Sequence, residues 1–121
     1  MVRAKDNTRE ERIVMEAIVD AYGSEERAMG WYYYLENKLR FPFKARCRSL
    51  RPISMLKAGE QVEVVGMAPE DECGSEMFVW VKRDGNRIAV PLAQLRPLSK
   101  DRDTQEAVGD WLYWVDRGYR M

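Results

Sequence analysis

Histidine is absent from all 121 residues. Without it there is no Ser-His-Asp or Cys-His nucleophile system, no HExxH metalloprotease and no imidazole acid–base switch. Cysteine is scarce: Cys47 and Cys73 are too few for a zinc site in any usual Cys/His combination. The charged start MVRAKDNTREER has no apolar signal core, so both thiols are expected to be reduced and structural. Long apolar runs are missing as well, since none approaches the ~20 residues that span a bilayer. A cytoplasmic protein without membrane contact is expected. No internal repeat and no Gly/Ser/Pro linker divides the chain, which predicts a single domain over 1–121. No nucleophile–base pair or cofactor loop is recognisable, so no enzymatic activity is expected.

Net charge is also lacking, because 20 Lys and Arg balance 20 Asp and Glu. A neutral chain does not suit a dedicated nucleic-acid binder. The distribution is uneven, however. Lys38, Arg40, Lys44, Arg46, Arg48, Arg51 and Lys57 follow one another with no intervening acid. Glu60, Glu63, Glu70, Asp71, Glu72 and Glu76 then follow with no intervening base.

The periodicity predicts an α+β protein. Thr8-Arg9-Glu10-Glu11 is a capping-box pattern, and Ile13, Val14, Ala17, Ile18, Ala21 and Tyr22 recur at helical spacing. A helix over about 9–22 stopped by Gly23 is expected after a flexible lead over 1–8. Ser24 is placed to cap a second helix, with Ala28, Trp31, Tyr32, Leu35 and Leu39 on one face and Tyr33 and Tyr34 on others. Gly30 costs that helix about 1 kcal/mol relative to Ala, which predicts close packing there. Pro42 closes the helical region 9–40. Over 41–98 the pattern turns to short strands, with a hairpin at Asp84-Gly85 and Pro91 at an edge or bulge. Four or five strands in a small SH3-like antiparallel β-barrel or a bent sheet are expected. A C-terminal helix over 103–117, capped near Asp103 or Thr104, carries Ala107, Val108, Trp111, Leu112 and Val115 inward and stops at Gly118.

The densest group of carboxylates is in GMAPEDECGSE, where Glu70, Asp71, Glu72 and Glu76 fall within seven residues. Two readings stand side by side. Such a loop is ordinarily a solvated charge run. Alternatively, a turn at Pro69 or Gly74 gathers carboxylates and carbonyls around Ca²⁺, which takes six to eight oxygens at about 2.3–2.6 Å. The spacing is not that of an EF-hand. A second group, Asp20, Glu25 and Glu26 with Glu16 a turn earlier, sits at the corner between the first two helices. The helix macrodipole alone accounts for Glu25 and Glu26, while a composite site with the acidic loop is the functional reading. Acidic neighbours disfavour the Cys73 thiolate, so it is a poor nucleophile. The basic 38–57 region beside GWYYYLENKLRFPF suggests an alternative role, an interaction module for nucleic acid or an acidic protein. Burial of the aromatics and solvation of the bases is the simpler reading, and it leaves nucleic acid an unlikely partner and any protein partner unknown.

The segments IVMEAIVDAYGSEERAMGWYYYLENKLRFPF, GEQVEVVGMAPEDEC, EMFVWV, AVPLAQL and TQEAVGDWLYWVDRGYR together resemble the small CcbP-type calcium-binding proteins, over about residues 9–120. The resemblance implies a compact, non-EF-hand protein that binds Ca²⁺ through surface carboxylates and buffers or senses it. The positions matching the family's acidic pattern are Asp20, Glu25, Glu26, Glu70, Asp71, Glu72 and Glu76.

Overall fold

The computed structural model describes residues 5–51, 54–69 and 76–119. The first helix, α1 (Asn7–Arg12), runs directly into a π-helical segment, Ile13–Ala17. Its cap is Asp6, not Thr8: the Asp6 carboxylate accepts the Arg9 N–H at 3.0 Å. The earlier start follows from docking, because the Asp6 N–H donates to the Tyr113 hydroxyl at 2.9 Å. The helical run also stops sooner than the apolar stripe suggests. Asp20 takes a left-handed conformation (φ 57), which Asp tolerates better than most residues, and turns the chain there. Gly23 therefore precedes α2 (Ser24–Lys38) as its cap, and Ser24 is the first helical residue.

Gly30 in α2 explains itself by contact. A Cβ there would lie 2.3 Å from the Ala17 carbonyl oxygen, so only glycine lets α2 cross the π-helical segment this closely. The inward face of α2 carries Ala28, Trp31, Tyr32 and Leu35 as the spacing predicts. Tyr34 departs from that prediction and is also buried.

Five strands follow: β1 (Phe43–Cys47), β2 (Gln61–Met67), β3 (Phe78–Arg83), β4 (Asn86–Pro91) and β5 (Leu95–Pro97). All pair antiparallel in one sheet of order β4-β3-β2-β1-β5. Of the two forms expected, the open sheet is the one observed, since β4 and β5 are its edges and do not pair. The Asp84-Gly85 hairpin is present, with positive φ at both residues (51 and 81), as a two-residue turn between twisted strands needs. Pro91 ends the edge strand β4, where the missing N–H does no harm.

Alternation places Phe43, Ala45, Cys47, Val62, Val64, Val79, Val81 and Val90 on one face of the sheet. The helices cover that face. α3 (Arg102–Asp116) starts one or two residues before the expected position because Asp101, accepting the Thr104 N–H at 2.8 Å, is the cap. Trp111 meets Trp31 edge-on at a centroid distance of 5.0 Å, and Trp114 lies 5.7 Å from the same ring. Edge-to-face aromatic contacts of this kind add about 0.5–1.5 kcal/mol beyond the area they bury.

Candidate metal centre

The corner between the π-helical segment and α2 holds Asp20, Glu25 and Glu26 in solvent. The left-handed Asp20 ends one helical run, and Glu25 and Glu26 occupy the first turn of the next. Among the described residues, none of these three carboxylates forms an ion pair. That sets them apart from the acids of α3 and from Glu60, just before β2. Glu60 pairs with Arg83 at 3.1 Å, Glu106 with Lys38 at 3.1 Å, and Asp116 with Arg48 at 3.0 Å. Their donors are hard carboxylate oxygens without competing cations, which fits Ca²⁺. Three monodentate carboxylates fall short of the six to eight oxygens that Ca²⁺ takes.

The expected source is the acidic loop. Glu70, Asp71 and Glu72 lie outside the described residues. Glu76 is described, half-buried beside β3, and its carboxylate is gripped by both terminal nitrogens of Arg51, one of them at 2.9 Å. A metal ligand at Glu76 must first release that fork. Among the described residues, no group of three or more Asp, Glu or Cys is arranged to hold a metal ion.

The basic 38–57 block does not form one surface. Lys38, Arg48 and Arg51 are held in ion pairs with Glu106, Asp116 and Glu76, and Arg40 faces Asp101 at 3.4 Å. Cys47 is buried, with its thiol donating to the Ser49 carbonyl at 3.1 Å, so this cysteine is structural as expected.

Spacing alone misses one polar cluster. Asp110, fully buried on α3, accepts from Arg12 at 2.6 and 2.9 Å and from the Tyr34 hydroxyl at 2.6 Å, with Arg9 3.3 Å away. The hydrogen bonds to Asp110 hold the Arg12 guanidinium well above its usual range. Burial, reinforced by the same carboxylate, pushes the Tyr34 phenol far up. This cluster ties α1, α2 and α3 together and fixes the platform from which the Asp20–Glu26 corner projects.

A family model for calcium binding, CcbP, matches residues 11–115, which include α2, the whole sheet and nearly all of α3. The chain belongs to the CcbP calcium-binding family. The crystal structure of Anabaena CcbP is 46% identical over 100% of both chains, with a TM-score of 0.87. A solved structure described as a calcium binding protein in the calcium-binding form is 45% identical, covering 97% of this chain and 96% of its own, with a TM-score of 0.85. No curated protein matches. Membership in the CcbP family makes Ca²⁺ the ion against which the corner and the acidic loop are to be judged. Among the described residues no helix is long and apolar enough to cross a membrane.

Proposed function

We propose that this CcbP-family protein binds Ca²⁺ at a non-EF-hand site and buffers or senses the free ion in the cytoplasm, without enzymatic activity. The observation that carries the reading is the set of unpaired carboxylates at the helix corner, in a family whose model describes calcium binding. Asp71 and Glu72, helped by Glu70 or Glu76, are the central ligands of the proposal, and Asp20 with Glu25 or Glu26 are their long-range partners.

The mechanism is electrostatic. Carboxylates that converge on one ion repel each other when it is absent, and a divalent cation relieves that repulsion. A ligand that binds only the folded state stabilises it by RT ln(1 + [L]/Kd), about 2.7 kcal/mol at a hundredfold excess over Kd. Arg51 competes for Glu76 and so weakens the site, which suits a reversible buffer better than a permanent structural metal. A melting curve recorded with and without millimolar Ca²⁺, and with Mg²⁺ for comparison, tests the proposal. A Ca²⁺-dependent rise in Tm supports it; an unchanged curve alongside a flat calorimetric titration sinks it.

A further inference from the structure

The outer face of the sheet, away from the helices, collects five bases that form no ion pair among the described residues. Register places Arg46 of β1 directly opposite Arg96 of β5, and Lys82 of β3 directly opposite Arg87 of β4. Lys44 lies two residues from Arg46, across from Glu63, and Glu63 in turn lies across from Lys82. All five bases are exposed, and among the described residues none of them is in an ion pair. Like charges directly opposite on neighbouring strands cost stability. Lysine and arginine on β4 and β5 serve to guard sheet edges, but Lys44, Arg46 and Lys82 belong to interior strands, where edge protection is no reason for them. Among the described residues, Glu63 is the only acid that the strand register sets between them.

An aromatic completes the face. Trp80 is half-buried, pairs with Ala89 across the ladder, and has the Arg87 guanidinium 5.0 Å from its ring centroid. Strands about 4.8 Å apart and a two-residue repeat of about 6.8 Å set the bases in two rows beside that ring. Cations tracking a chain of negative charge, next to an aromatic on which a base stacks, are what single-stranded nucleic acid requires. An acidic peptide has use for the cations but none for the ring.

We propose that this outer sheet face, through Lys44, Arg46, Lys82, Arg87, Arg96 and Trp80, binds single-stranded nucleic acid. The proposal is independent of the calcium site. The overall neutrality of the chain hides the face, because compensating acids lie on the helices and loops.

The test is fluorescence anisotropy of a labelled oligothymidine, with chelator present so that calcium plays no part. Contact with four phosphates predicts a slope of log K against log salt of about −2.8, or roughly a fiftyfold loss between 50 and 200 mM salt. Lys44→Gln with Lys82→Gln, its fold checked by circular dichroism, is expected to weaken binding about tenfold and flatten the slope. Arg96→Gln at the exposed edge serves if the double variant does not fold, with a smaller loss of the same kind. Trp80→Leu is expected to weaken oligothymidine while leaving binding of polyglutamate unchanged. No binding at 50 mM salt overturns the proposal. So does binding that none of these variants alters, or polyglutamate binding as tightly as the oligonucleotide.

Discussion

Replacing Asp110 by Asn is the sharpest test of what holds the helices in place. The side chain keeps its shape and loses its charge, and one of its two acceptor oxygens becomes an NH2 donor. In the wild type, one carboxylate oxygen takes Arg12 Nη2 at 2.6 Å, with Arg9 3.3 Å away. The other takes Arg12 Nε at 2.9 Å and the Tyr34 hydroxyl at 2.6 Å. Whichever way the amide turns, an Arg12 N–H then faces another donor. Removing one partner of a buried ion pair costs about 3–5 kcal/mol. The Arg12 side chain keeps 20% of its exposure, so water recovers part of the loss and the lower end, about 3 kcal/mol, applies here. At this chain length each kcal/mol moves Tm by roughly 3–6 °C, which gives a drop of roughly 9–18 °C. Urea unfolding is the assay, read as a lower midpoint with an unchanged m-value. A loss below about 1 kcal/mol would refute the claim that this carboxylate anchors α1 and α2 to α3, because it is smaller than a single charged hydrogen bond.

Gly30→Ala gains about 1 kcal/mol in helix propensity but drives a Cβ to 2.3 Å from the Ala17 carbonyl oxygen, an overpacking cost of about 1–3 kcal/mol. A net loss of stability is expected in chemical denaturation, and a more stable variant would contradict the close approach. Gly85→Ala puts a side chain at φ 81 in the β3–β4 turn and is expected to cost about 1 kcal/mol, read as a lower Tm. Stability should hold from neutral pH to about 5 and fall as the medium becomes more acid. The Lys38 hydrogen bond to Glu106, the Arg9 N–H on Asp6 and the Thr104 N–H on Asp101 hold those carboxyls below their ordinary 4.5, 3.8 and 3.8. Folded values below the unfolded ones mean stability present above the ordinary values and lost as pH drops through the folded ones. A denaturation series in acid that shows a rise below pH 4.5 would reverse that sign.

The apolar stripes of α2 and α3, the Asp84-Gly85 turn and the edge proline were legible in the sequence because each depends on neighbours a few positions away. The first helix was legible in kind but not in extent. Its true cap, Asp6, is selected by a bond to Tyr113, and its true end, Asp20, is a left-handed aspartate that looks like any surface acid in a string of letters. Tyr34 and Asp110 escaped for the same reason, since their partners lie 76 and 98 residues apart in the chain. The basic 38–57 block looked like one surface and is not, because Glu76, Glu106 and Asp116 come from distant segments to pair with Arg51, Lys38 and Arg48. The five bases of the outer sheet face were equally hidden, as only strand register brings Lys82, Arg87 and Arg96 beside Lys44 and Arg46. Of the proposed calcium ligands, Asp20, Glu25 and Glu26 were singled out from sequence and stand without ion pairs among the described residues. The partners offered by the acidic loop rest on the family resemblance.

The most direct measurement is isothermal calorimetry of Ca²⁺ binding to the wild type, to Asp71→Asn with Glu72→Gln, and to Glu11→Gln with Glu36→Gln. The last pair is a suitable control because both acids are exposed. Glu10 is not, because it accepts from the hydroxyls of Tyr113 and Tyr119 at 2.6 and 3.1 Å. A site built on the loop predicts heat for the wild type and the control, and at least a tenfold loss of affinity for the loop variant. Equal affinities for all three proteins, or no heat from the wild type at millimolar Ca²⁺, would contradict the account.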